Sequence, residues 1–252
     1  FKQWSSLRKY ANQRGIKIIG DLPIFVAYDS TEVWANPELF ELDENQQLSA
    51  VAGVPPDFFS ETGQHWGNPL YRWNEMRKDG FSWWKNRLRY SFEQFDIVRI
   101  DHFRGFENYW EIPSSAATAS EGKWKEGPGF AFFEEMKKEL GDLPIIAEDL
   151  GLITTDVNVL REKCGFPGMK VLQFAFSDEN NSYLPHNYKS SNTVVYTGTH
   201  DNNTTLGWYR ELGDMERERL RAYLNKDVKE DSVCYDLIKL AWSSNADIAL
   251  AP

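Results

Sequence analysis

Four acids stand where runs of largely apolar residues stop. Asp21 follows Ile18-Ile19-Gly20, Asp101 follows Val98-Arg99-Ile100, Glu148 follows Ile145-Ile146-Ala147, and Asp201 follows Tyr196-Thr197-Gly198-Thr199-His200. Two carboxyl groups of different proton affinity, one to attack and one to protonate, are what cleavage of a glycosidic bond requires. Arg99 precedes Asp101 by two residues, so in a strand both side chains share a face. A guanidinium there keeps Asp101 ionised, as a nucleophile needs, although the same pair also serves as a structural ion pair at a sheet rim. Burial raises the pKa of a glutamate, and Glu148 behind its apolar run is thereby suited to be a general acid, with Asp149 facing away in a structural task. Asp201 can bind hydroxyls or stabilise an oxocarbenium-like transition state. His102 and His200 each adjoin one of these aspartates and can donate hydrogen bonds while neutral.

The elements that must position these acids follow from periodicity. Helical patterns cover 4–14, 81–95, 130–140 (closed by Gly141), 155–163 (with Thr154 or Thr155 as N-cap), 214–224 and 231–243. Strands are expected at 16–20, 96–101, 144–147, 169–176, 193–197 and from 248 onward. Residues 36–75 and 107–127 are rich in turn formers and read as irregular, the first as a functional excursion. Alternating strands and helices predict parallel strands with covering helices, and long strand-to-helix connections favour a (β/α)₈ TIM barrel over an open sheet. Neither a glycine-rich phosphate fingerprint nor a phosphate loop follows any strand, which argues against a dinucleotide fold and a sugar-phosphate enzyme. About six strands are legible where a closed barrel needs eight, so the expectation is a partial barrel within a longer protein.

Composition narrows the partners. The 252 residues are 41% hydrophobic and 26% charged, with a net charge of −10, which disfavours nucleic acid. No span-length apolar run and no signal-peptide pattern occur, so neither a membrane nor secretion is expected, and a cytoplasmic location is (a plastid, if the source is a plant). Cys164 and Cys234, with four histidines, form no metal-ligand spacing, and two free thiols are the simplest account. Aromatics make up 15% of the chain, including ten tryptophans. Most belong in a core, but flat apolar faces also suit sugar rings, and Trp83-Trp84 and Trp66 with Tyr71-Arg72-Trp73 are the clusters to watch.

Long stretches carry a resemblance: GDLPIFVAYDSTEVW (20–34), AGVPPDFFSETGQHWGNPLYRW (52–73), VRIDHFRGFENYWEIP (98–113), IIAEDLG (145–151), PGMKVLQFAF (167–176), LPHNY (184–188) and YTGTHDNNTTLGWYR (196–210). In these the chain resembles the central part of the amylomaltases, or 4-α-glucanotransferases, of the α-amylase superfamily. The resemblance implies a (β/α)₈ barrel that transfers α-1,4-glucan segments between maltooligosaccharides, amylose or glycogen-derived dextrins with retention, needs no cofactor or metal, and works as a monomer or homodimer. It further implies Asp101 as nucleophile, Glu148 as acid/base and Asp201 as transition-state stabiliser. Asp21, Arg99 and His200 would contact the sugar, with Gln64 and Trp66 on a loop covering the site. An α-amylase-type hydrolase and a silent glucan-binding barrel are the alternatives. One departure stands out: the family usually reads His-Asp-Asn-Asp where this chain has His200-Asp201-Asn202-Asn203, so a charge is missing there.

Overall fold

A computed structural model describes residues 1–57 and 60–252, which divide into two compact units, Phe1–Phe166 and Pro167–Pro252. The first unit is built on a parallel sheet of β1 (Ile19–Pro23), β4 (Ile97–Asp101) and β7 (Ile145–Ala147), in the order β1-β4-β7. Strands β4 and β7 are largely buried on both faces, whereas β1 buries Gly20 and Leu22 on one face and leaves Asp21 and Pro23 exposed on the other. Leu22, Val98, Ile100, Ile145 and Ala147 all belong to one core. Helix α1 (Lys2–Asn12) precedes β1, and α4 (Ser82–Gln94), α5 (Phe130–Leu140) and α6 (Thr155–Cys164) alternate with the strands. Helix α5 buries Phe132, Phe133 and Met136 on one stripe and stops at Gly141, whose φ of +76° a β-carbon would oppose. Gly20 lets β1 approach α4, because a β-carbon there would fall inside the Phe95 ring.

The two segments read as irregular contain a second sheet. Strands β2 (Ala50–Val54), β3 (Gln64–Pro69), β5 (Asn108–Pro113) and β6 (Lys123–Glu126) form an antiparallel sheet in the order β3-β2-β5-β6. Helix α2 (Thr31–Ala35) precedes it in sequence, and α3 (Trp73–Lys78) lies between β3 and β5. The excursion at 36–75 is therefore largely structured. Its Phe58-Phe59 pair lies outside the described residues. Trp73 and Trp84 are core residues: Trp84 is fully buried and meets Phe106 and Phe132 at 5.4 and 5.6 Å between ring centroids. Two of the tryptophans singled out as sugar platforms are thus packing residues, because the aromatic nucleus beneath the sheets takes them.

The second unit carries a parallel sheet of β8 (Gly168–Val171), β9 (Thr193–Tyr196) and β10 (Ile248–Leu250), in the order β10-β9-β8. Helices α7 (Thr205–Glu211), α8 (Asp214–Leu224) and α9 (Val233–Trp242) accompany it, and Leu220, Val233 and Leu237 pack with Leu172 and Val195. The strand expected over 169–176 ends at Val171 and tightens into a 3₁₀ turn over Leu172–Phe174, and α7 was not anticipated. The chain is an α/β protein with six parallel and four antiparallel strands among the described residues. No described helix is long and apolar enough to cross a membrane.

Candidate active site

The register of the first parallel sheet brings three of the predicted side chains together. Asp21 of β1 lies opposite Arg99 of β4, and Pro23 opposite Asp101. Asp21 sits within its strand, not after it, because β1 runs on to Pro23. Arg99 and Asp101, two apart, share a face. One arm of the guanidinium chelates Asp21, with Arg99 Nη1 donating to Oδ1 and Oδ2 at 2.6 and 2.7 Å, and Nη2 donates to Asp101 Oδ1 at 2.8 Å. The guanidinium is buried while both carboxylates remain partly open to solvent. Burial opposes its charge, but Asp101 and then Asp21 outweigh that and hold Arg99 firmly protonated.

Glu148 is fixed just beyond β7. Its N–H donates to the Ile100 carbonyl at 3.0 Å, extending the ladder by one residue, and its own carbonyl accepts from Phe103 N–H at 3.1 Å. Its carboxyl oxygens are separately occupied: Oε2 accepts from the His102 N–H and Oε1 from the Leu150 N–H, each at 2.7 Å. The residue is half-buried as a whole, but its carboxyl is withdrawn from water. Burial first, and the charge of Asp101 second, raise its pKa to about 7 against the pull of Leu150, Arg99 and His102. Asp149 turns the other way and pairs with Arg161 at 3.1 Å, as expected of a structural neighbour.

His102 makes this arrangement through its backbone. It occupies the left-handed region (φ 55°, ψ 50°), ends β4 and aims its N–H at Glu148. Its ring is edge-on to Trp66, with centroids 4.8 Å apart, and near Phe25. Burial, then Arg104, push its pKa down to about 3, so the ring is neutral, and its Nε2 is buried without a hydrogen-bond partner among the described residues. Trp66 Nε1 donates to Gln64 Oε1 at 2.9 Å. Both residues sit on strand β3, not on the loop assigned to them, because the antiparallel sheet reaches them.

His200 and Asp201 belong to the second unit, in a turn after β9, with His200 Nε2 and Asp201 Oδ1 3.3 Å apart. The strand expected to carry them stops at Tyr196. Asn203 is a working part of this turn. Its amide donates to Glu211 Oε1 at 2.9 Å and its Oδ1 accepts from the Thr204 N–H at 2.8 Å. No group of three or more potential metal ligands gathers among the described residues. Both cysteines are free, and burial pushes the Cys164 thiol up to about 12. Sequence reasoning missed the backbone donors of His102 and Leu150. No residue-type signal marks them, since a left-handed histidine has no signature comparable to glycine's.

The arrangement supplies an ionised carboxylate anchored by arginine next to a carboxyl that keeps its proton near neutrality. The profile of the 4-alpha-glucanotransferase family matches residues 1–252. Proteins named 4-alpha-glucanotransferase from Streptococcus pneumoniae and Thermus thermophilus are each 54% identical over the whole chain. The chain spans about half the length of these relatives, 50% and 52%. The solved structure of amylomaltase from Streptococcus agalactiae in complex with acarbose superimposes with a TM-score of 0.94 at 42% identity, covering 99% of this chain and 50% of that one. With a family match running from the first residue to the last, this chain belongs to the 4-alpha-glucanotransferase family.

Proposed function

We propose that the protein containing this chain is a retaining 4-α-glucanotransferase. In this reading the chain forms most of a (β/α)₈ barrel, and the substrates are maltooligosaccharides and longer α-1,4-glucans. The observation that carries the reading is the pairing of Asp101 with Glu148. Arg99 keeps Asp101 charged, and that charge together with burial keeps Glu148 protonated up to about pH 7.

In the first step an Asp101 oxygen attacks the anomeric carbon, and Glu148 gives its proton to the departing glycosidic oxygen. The products are a glucosyl ester on Asp101 and a shortened glucan. Esterification removes the Asp101 charge, and with it one cause of the raised pKa of Glu148. The residue is then better suited to be a base, its carboxylate held by the His102 and Leu150 N–H groups. It takes the proton from the 4-hydroxyl of an acceptor, whose oxygen displaces Asp101. Asp201 stabilises the positive charge on the sugar ring. Asp21, Arg99, His102 and His200 contact hydroxyls, and Gln64 and Trp66 cover the sugar from β3. An acceptor sugar and water compete in the second step, so shielding by this cover favours transfer over hydrolysis.

Incubating the full-length protein with maltotriose tests the reading. Transfer yields glucose and a ladder of longer oligomers. Only shorter products would make it a hydrolase, and binding without cleavage would make it a silent glucan-binding barrel.

A further inference from the structure

A second concavity follows directly on β1. Tyr28, Trp34, Asn45, Gln46 and Gln47 line a bowl of about 460 Å³, within the roughly 300–1,000 Å³ typical of small-ligand sites. Val33 anchors α2 inward, and the next residue, Trp34, leaves 84% of its surface in water. An arc of amide residues, Asn45 to Gln47, lines the same bowl. Asp43 Oδ1 accepts from the N–H groups of Asn45 and Gln47 at 2.8 Å each, and the Tyr28 hydroxyl donates to the Gln46 carbonyl at 2.7 Å. Gln46 is held in the left-handed region at φ 60°. An exposed single tryptophan is ordinary. An exposed tryptophan that shares one cavity with a hydrogen-bonded arc of amide residues offers an apolar platform with hydrogen-bonding groups beside it.

We propose that this bowl is a second carbohydrate site, taking one or two glucosyl units of an α-1,4-glucan apart from the Asp101–Glu148 site. Its glucan specificity rests on the functional reading above. The indole offers a flat apolar face to a sugar ring, and the amides offer both donors and acceptors to hydroxyls. Asp29 is the one ionisable acid in the lining, and no lysine, arginine or histidine is present, which disfavours phosphate and other anions. Such a site holds a long chain near the enzyme while its end is processed, raising its effective concentration.

Oxidative footprinting of full-length protein tests the proposal one residue at a time. Trp34 should oxidise readily with N-bromosuccinimide. Maltoheptaose should slow its oxidation at least threefold, whereas an equal weight of sucrose should not. Asn45→Ala should reduce that protection. Equal rates in maltoheptaose and sucrose, or a Trp34 that resists oxidation without any sugar, would overturn the site. Undiminished protection in Asn45→Ala would overturn the role of the amide arc. Protection is read as oxidation of Trp34 and not as product formation, so it separates this inference from the transferase reading, which maltotriose alone decides.

Discussion

Replacing Glu148 with glutamine should remove activity and change how stability depends on pH. An ordinary glutamate titrates near 4.5 and Glu148 near 7, so between these values the folded protein holds a proton that the unfolded chain has released. A group of this sign costs stability as pH rises, with no cost well below 4.5 and the full cost above 7. The linkage relation puts the cost at under about 1 kcal/mol at pH 5 and about 3 kcal/mol at pH 8. Glutamine does not titrate and escapes this cost. It has one acceptor oxygen for two backbone donors, so either the His102 or the Leu150 N–H loses its partner, costing about 1–3 kcal/mol at every pH. The variant should therefore be the less stable protein at pH 5 and gain about 2–3 kcal/mol on wild type by pH 8. Scanning calorimetry or urea denaturation of both full-length proteins at the two values reads this directly. A stability difference that stays constant between pH 5 and 8, or moves the other way, would refute the account of why Glu148 keeps its proton.

Other expectations concern the scaffold. Arg99→Lys keeps a charge but loses the two-armed grip on Asp21 and Asp101. Transfer rates should fall roughly 10- to 100-fold, corresponding to about 1.5–3 kcal/mol for hydrogen bonds to charged groups, and unchanged rates would deny Arg99 its anchoring role. Gly20→Ala should destabilise the protein by about 1–3 kcal/mol through collision with Phe95, and Phe95→Leu in the same chain should restore part of the loss. Asn203→Asp replaces the donor to Glu211 with a second carboxylate. It should lower the melting temperature slightly at pH 7, and unchanged melting would deny Asn203 its part in the turn.

Much of this was legible in the sequence, for identifiable reasons. Helix α5 could be read to the residue because its apolar stripe is regular and Gly141 ends it. Strand β4 could be read to Asp101 because an apolar run meets an acid with arginine two places before it. The antiparallel sheet could not. A register shift between Val51 and Gly53 interrupts β2, β3 runs from exposed to buried without alternating, and β6 is four exposed residues of which three are charged, so none shows a clean period of two. Asp21, Arg99, Asp101 and Glu148 were found because their chemistry is in their side chains. The support of Glu148 escaped notice because it comes from main-chain N–H groups whose direction depends on a φ angle.

The central claim is that Asp101 becomes covalently attached to sugar while Glu148 handles the proton. Full-length Glu148→Gln protein treated with α-maltotriosyl fluoride, a donor whose leaving group needs no acid, should accumulate a maltotriosyl ester that peptide mass spectrometry locates on Asp101. An adduct on any other residue, or turnover of this donor by the Asp101→Asn protein at the rate of its parent, would contradict it.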